Sequence, residues 1–157
     1  MAKVGAKIFY LSDYDRENWG PMVYAHDTDT GFDIRACNSH NVIIEPGQRS
    51  VIPAGFKILP DVGFALQVRA RSGNSLKLGL SLANGVGTID YGYLGEVGVI
   101  VVNLSNEPIV IERGMKIAQG VVEPLYQFEF EEVDSEEKLG TTLRGDGGFG
   151  STGSKKE

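Results

Sequence analysis

Residues 68 to 103 read VRARSGNSLKLGLSLANGVGTIDYGYLGEVGVIVVN, and the way this stretch is punctuated decides the fold class. A β-rich run ends at Arg71, Ser72 and Gly73. Residues 72 to 78 are the one segment of the chain suited to a short helix, and two small-residue turns, Asn84-Gly85 and residues 90 to 93, bracket residues 86 to 89. Asn-Gly between alternating apolar residues is a strong hairpin marker, because both turn positions accept left-handed backbone. The same rhythm runs outward in both directions. KIFYL, NVIIEPGQRSVIP, GFKILP, FALQVRA, GEVGVIVVNLS, PIVIE, KIAQGVV and YQFEFEEV are short β-rich runs, several alternating apolar with polar residues, separated by Gly, Pro, Asn and Asp. No segment sustains a 3.6-residue period. The expectation is an all-β domain, an antiparallel sandwich or jelly roll, with at most one short helix.

The composition shifts after Asp134. DSEEKLGTTLRGDGGFGSTGSKKE has few core-forming residues and is rich in Gly, Ser, Thr and charge, which predicts a β domain over 1–134 and a flexible arm over 135–157. One bulky ring, Phe149, sits among glycines and is flanked by Arg144, Ser151 and Thr152. A disordered spacer is one reading of this arm; an anion-binding, ring-stacking flap is the other.

At 157 residues the chain has room for one domain plus a tail and can bury a core without covalent staples. A lone cysteine, Cys37, excludes an internal disulfide framework; it reads as a small buried apolar residue and favours a reducing compartment, the cytoplasm. MAKVGAKIFYL lacks the apolar stretch of a signal peptide, so a soluble, unprocessed protein is expected. Fifteen Lys plus Arg against 21 Asp plus Glu give a net charge of −6, which argues against broad binding to nucleic acid or to an anionic membrane. An anionic ligand has to be met locally, by a few cations and backbone N–H groups.

Several short motifs fail on their own chemistry. HDTDTGFDIRA (26 to 36) is not a calcium loop, because its fifth, sixth and twelfth positions from Asp27 hold Gly31, Phe32 and Asn38. Asp29-Thr30-Gly31 spells the aspartic-protease triplet, but it follows the polar His26-Asp27-Thr28 where a protease buries its dyad behind an apolar strand. The remaining reading is a turn entering a strand, with Asp33 held for a metal or substrate. GFGSTGSK is no P-loop, since Ser154 follows Gly153 and Lys155 arrives one residue late. Asp90 beside Tyr91 and Tyr93 reads, taken alone, as an ordinary turn aspartate.

Five segments taken together, TGFDIRA (30 to 36), RARSGNSLK (69 to 77), NGVGTIDYGYLGE (84 to 96), RGMKIAQGVV (113 to 122) and RGDGGFGSTG (144 to 153), resemble the trimeric deoxyuridine triphosphate nucleotidohydrolase (dUTPase) family in order and spacing. The resemblance implies a jelly-roll or β-clip barrel subunit and a homotrimer. Its sites are shared between subunits, with the arm of one closing over a site built by the others. It implies hydrolysis of dUTP to dUMP and pyrophosphate, which keeps uracil out of DNA and supplies dUMP for dTTP synthesis.

Residue roles follow from the same resemblance. Main-chain groups of the 84 to 93 segment, Gly87 and Ile89 among them, read the uracil edge with Asn84 beside the base. Cytosine presents the opposite donor and acceptor pattern and would leave buried groups unpaired. Tyr93 packs under the deoxyribose and Phe149 stacks over the base. Arg71, Ser72 and Gly73 take the α–β phosphate region, and Lys116, Gln119, Arg144, Gly150, Ser151 and Thr152 complete the cradle. Mg²⁺ offsets a triphosphate's charge of about four, with Asp33 reaching its waters. Asp90 orients and deprotonates the water that attacks the α-phosphorus.

The chain also departs from the family pattern. Met115-Lys116 stands for the usual Asp-Arg, Asn74-Ser75 for Leu-Ala, Gly92 for an acidic residue and Leu94 for Arg. The dCTP deaminase branch of the same fold needs a Glu base where Ile100 stands, and residues 97 to 104 hold no carboxylate. The rival from another class is a catalytically weak homologue that senses dUTP and regulates a protein partner. Asp33, Ser72, Asp90, Tyr93, Gln119 and Phe149 together favour catalysis over it.

Overall fold

The computed structural model describes residues 3 to 148. Its strands are β1 (Ala6–Tyr10), β2 (Gly31–Arg35), β3 (Val42–Ile44), β4 (Arg49–Pro53), β5 (Phe56–Pro60), β6 (Phe64–Arg69), β7 (Leu80–Leu82), β8 (Val86–Ile89), β9 (Gly98–Asn103), β10 (Ile109–Ile111) and β11 (Lys116–Pro124). Two helices interrupt them, α1 (Arg16–Trp19) and α2 (Ser72–Leu78). All pairings are antiparallel: a four-stranded sheet β2-β11-β6-β8, a three-stranded sheet β4-β9-β7, and the pairs β1-β5 and β3-β10. This is the all-β jelly-roll class expected from the period of two.

The alternation places the core. Along β9 the buried positions are Val99, Val101 and Asn103, and along β2 they are Phe32 and Ile34. The apolar ones meet Ile52, Phe56, Leu80, Ile111 and Ile117 in one cluster. Burying each such aliphatic or aromatic side chain contributes roughly 1.5–3 kcal/mol. Asn103, fully enclosed, uses its amide to hold the Ile44 and Glu107 carbonyls, while its Oδ1 accepts from Ser105, so the β9 end is pinned without an orphaned polar group. Cys37 is a buried core residue, and desolvation pushes its thiol above the ordinary range.

Three local expectations are corrected. The Asn84-Gly85 turn does not close a hairpin: β7 pairs with β9 and β8 pairs with β6, so the turn carries the chain from one sheet to another. The turn chemistry itself is as expected, with Gly85 at φ +71 and its N–H donating to the Leu82 carbonyl. YQFEFEEV forms no strand. Tyr126, Phe128 and Phe130 are 92%, 85% and 89% exposed, and an alternating segment without a ladder partner has nowhere to place its backbone N–H groups except water. Single helical turns occur besides α2. The turn α1 forms because the Asp15 carboxylate accepts from Asn18 N and Nδ2, bonds that hold its pKa below the usual value, and a 3-10 turn forms at Glu136–Leu139.

The chain divides into two compact units, Met1–Tyr126 and Gln127–Glu157, a boundary somewhat before the change in composition. No helix among the described residues is long and apolar enough to cross a membrane.

Candidate functional site

Three adjacent strands set the site. The β2-β11-β6 register places Gln119 opposite both Asp33 and Arg69, so the middle of β2, the start of β11 and the end of β6 converge. The chain leaves β6 through Ala70 and Arg71 straight into α2. These elements enclose a depression of about 470 Å³ lined by Asp33, Arg71, Ser72, Gly73, Lys116 and Gln119 together with the loop residues His26, Asp29 and Thr30.

Its electrostatics are organised around Asp33. One carboxylate oxygen lies 2.9 Å from Arg71 Nε and the other 2.6 Å from Lys116 Nζ. The groups are partly exposed, so these pairs contribute little stability, but they hold two cations at one wall of the depression. A register irregularity between Lys116 and Ala118 leaves Ile117 without a partner on β2, immediately after Lys116. The Lys116 carbonyl accepts from Arg71 Nη1 at 3.1 Å and from Asn74 Nδ2 at 2.8 Å. Such a bulge re-aims a side chain, and here it turns Lys116 toward Asp33.

Part of the lining is backbone. Arg71 is the extended N-cap of α2 and no side chain caps the helix, which leaves the first N–H groups, those of Ser72 and Gly73 among them, to an anion or to water. Gln119 donates from Nε2 to the Ala70 carbonyl at 2.9 Å, fixing its own rotamer and the strand end. A Cβ on Gly31 would lie 2.8 Å from Gln119 Oε1, so the glycine of TGFD is what lets that amide approach β2.

The second set of expected residues lies elsewhere. Gly87 and Ile89 are on β8, and Asp90 opens the turn after it, its carbonyl accepting from Tyr93 N at 3.1 Å. Gly92 has φ +92, a left-handed backbone that glycine adopts without strain. The Tyr93 hydroxyl donates to the Glu96 carbonyl and its ring folds over Gly95, where any Cβ would collide with it. None of these four lines the cationic depression; Asn84 lines another, with Arg49, Ile100, Val102 and Leu104. Arg144 is exposed in the second unit, where its Nε donates to the Gly147 carbonyl at 2.7 Å. Phe149, Gly150, Ser151 and Thr152 lie outside the described residues.

The 20s loop went unassigned in the sequence. His26 N donates to Asp29 Oδ2 and Asp29 N to the His26 carbonyl, closing a tight turn that brings both residues to the rim. A polar HDTDT run directly before a strand that carries Asp33 was the available signal. Met115, in place of an acid, is half-buried against the core. The Gly114 turn beside it is held by Arg35 through the Gly114 carbonyl and lies under Trp19, over which Arg113 stacks at 5.1 Å.

A family model described as dUTPase matches residues 17–153. The deoxyuridine 5'-triphosphate nucleotidohydrolase of Chlamydia felis is 45% identical over 132 residues, spanning 84% of this chain and 90% of that protein. Among solved structures, a point-mutant dUTPase of Staphylococcus bacteriophage 80alpha with dUpNHpp superposes with a TM-score of 0.79 at 28% identity, over 96% of this chain and 99% of the other. A point-mutant dUTPase from phage phi11 of S. aureus, described as coordinating a structural Mg(II) ion, gives a TM-score of 0.72 at 25% identity over 85% and 99% of the two chains.

Proposed function

The chain belongs to the dUTPase family, and we propose that the depression around Asp33, Arg71, Lys116 and Gln119 is where it holds the triphosphate of dUTP. The activity is that of a dUTP diphosphatase: dUTP and water give dUMP and pyrophosphate. The observation that carries the assignment of the site is the pairing of two cations with an uncapped helix start across one depression in a chain of net charge −6. Two cations beside free backbone N–H groups give an acidic protein a local place to meet a polyanion.

A divalent metal fits under one condition. No cluster of three His, Cys, Asp or Glu side chains among the described residues could form a protein cage, and Asp33 already faces two cations. A small, hard ion that arrives on the phosphates and keeps most of its waters needs no cage, and Mg²⁺ is such an ion. Asp33 is the residue to hydrogen-bond those waters. The metal's contribution is to neutralise charge on the phosphates.

The chain's own groups do the rest. Arg71 and the N–H groups of Ser72 and Gly73 bind the α–β region, Lys116 and Gln119 the neighbouring oxygens, and Asp90 takes a proton from the attacking water. Gly87 and Ile89 offer main-chain groups to the uracil, Asn84 lies beside it, and Tyr93 excludes a 2′-hydroxyl. Arg144, Phe149, Gly150, Ser151 and Thr152 form the closing arm.

Asp90 and Tyr93 stand outside the cationic depression of their own subunit, which suits a site completed between copies. The outer face of β4-β9-β7 supports association of copies, for which the family's homotrimer is the reading. Val51, 62% exposed, pairs across the sheet with Ile100, and Leu104 is 69% exposed beside Val102. An apolar face of this kind is normally covered by another copy. A cytoplasmic location accords with the single buried thiol.

Hydrolysis in ¹⁸O-labelled water with Mg²⁺, repeated in excess EDTA, tests the reaction. The label is expected in dUMP and not in pyrophosphate, with the rate falling by at least about a hundredfold in EDTA. Label in pyrophosphate would move the attack to the β-phosphorus, and an undiminished rate in EDTA would remove the metal from the reading.

A further inference from the structure

Two of the chain's departures from its family meet in one hydrogen bond. Asn74, at a position where Leu is common, donates through Nδ2 to the carbonyl of Lys116, where Arg is common, at 2.8 Å. The same carbonyl accepts from Arg71 Nη1 at 3.1 Å, and Arg71 Nε is engaged with Asp33 at 2.9 Å. Lys116 flanks the register irregularity of β11, and two side chains donate to its partly buried carbonyl.

A guanidinium that swings from Asp33 to a triphosphate gives up its contact with the Lys116 carbonyl as well. If Arg71 were the carbonyl's sole partner, its departure would strand a half-buried acceptor, and that loss would be subtracted from binding. We propose that Asn74 is a positioning residue: it holds the Lys116 carbonyl, and with it the β11 bulge that aims the Lys116 ammonium, while Arg71 leaves Asp33 for the phosphates. The inference rests on the reading of Arg71 as a triphosphate ligand. It explains why an amide stands on this face of α2 when its neighbours Leu76 and Lys77 are exposed and Ser75 bonds instead to the Leu80 carbonyl at the start of β7.

The consequence is a particular pattern of coupling. In Asn74→Leu the free protein still has Arg71 on the carbonyl, but the bound protein has nothing there, so affinity falls. In an Arg71→Ala background the carbonyl of the Asn74→Leu double variant is orphaned in both states, and the second substitution changes affinity little. A purely structural role for Asn74 would lower stability in either background without this dependence.

The experiment is calorimetric binding of a non-hydrolysable α,β-imido dUTP analogue with Mg²⁺ to wild type, Asn74→Leu, Asn74→Ala, Arg71→Ala and the two double variants. Steady-state kinetics are measured alongside for the single Asn74 variants. The Asn74 variants are expected to raise Kd and KM about tenfold with kcat within about twofold of wild type, because the loss is shared by the bound substrate and the transition state. In the Arg71→Ala background the Asn74 effect should shrink to less than about threefold. Asn74→Ala guards against a bulky leucine that fails to pack. Wild-type affinity in both Asn74 variants, or an equal loss in both backgrounds, overturns the inference. Arg71→Ala binding as tightly as wild type overturns instead the assignment of Arg71 to the phosphates.

Discussion

Asp90→Asn is expected to lower kcat for dUTP by on the order of a thousandfold while leaving the dissociation constant of the non-hydrolysable analogue within about threefold of wild type. The substitution keeps the side chain's size and removes only its capacity to take a proton. Asp90 sits at the head of a turn set by its own carbonyl, which accepts from Tyr93 N, and by Gly92 at φ +92; the carboxylate has no part in either device. The variant should therefore fold and present Tyr93 to the sugar as before. Stopped-flow binding and single-turnover hydrolysis separate the two effects. Near-normal turnover by the variant would show that the attacking water loses its proton to another group, with Asp29 at the rim of the cationic depression the first to consider.

Deleting residues 141–157 is expected to reduce kcat/KM by about a hundredfold or more and to leave the mass of the assembly in sedimentation unchanged apart from the missing residues. The deletion removes Arg144, Phe149, Ser151 and Thr152, the cation, ring and hydroxyls assigned to closure over the substrate. It removes no member of the core cluster, all of whose residues lie between Tyr10 and Ala118. The apolar outer face of β4-β9-β7, with Val51, Ile100 and Leu104, is likewise untouched. Loss of the oligomer on truncation would make the arm a structural tie; unchanged activity would make it a spacer.

Most of the strand framework was legible because burial in a sheet imposes a period of two, and β1, β4, β5, β6, β9 and β11 each fall within or largely within runs picked out by that period. The helix α2 was legible at its full extent, Ser72–Leu78, since Gly79 ends it with a left-handed C-cap. Pairing partners were not legible. Asn84-Gly85 specifies a tight turn and nothing about whether the flanking strands bond to each other; here Leu80 and Leu82 pair with β9 and Gly87 with Val68 of β6. YQFEFEEV carries the right alternation, but alternation is a property of side chains, and a strand also needs a neighbour for its backbone.

Part of the site was legible in the same uneven way. Asp33, Arg71, Ser72, Gly73, Lys116 and Gln119 come from three separated segments, and the β2-β11-β6 register brings them together. The contributions of His26 and Asp29 depend on a loop closure that the polar HDTDT run only hints at, and that of Asn74 on a strand irregularity that no local pattern announces. The replacement of Asp-Arg by Met115-Lys116 stands in the sequence as a departure from the family pattern. In the structure Met115 packs against the core and Lys116 still reaches Asp33, at 2.6 Å.

Selective hydrolysis of dUTP is the central claim, and its most direct test is pyrophosphate release by the purified protein with Mg²⁺, comparing dUTP, dCTP, dTTP and UTP at equal concentration. Release from dUTP, with the other three at least about a hundredfold slower, is the predicted result, since each competitor leaves a buried group unpaired or meets a steric wall. Comparable release from dCTP or UTP would contradict the assignment of the β8 segment and Tyr93 to base and sugar. The absence of release from dUTP would contradict the activity itself.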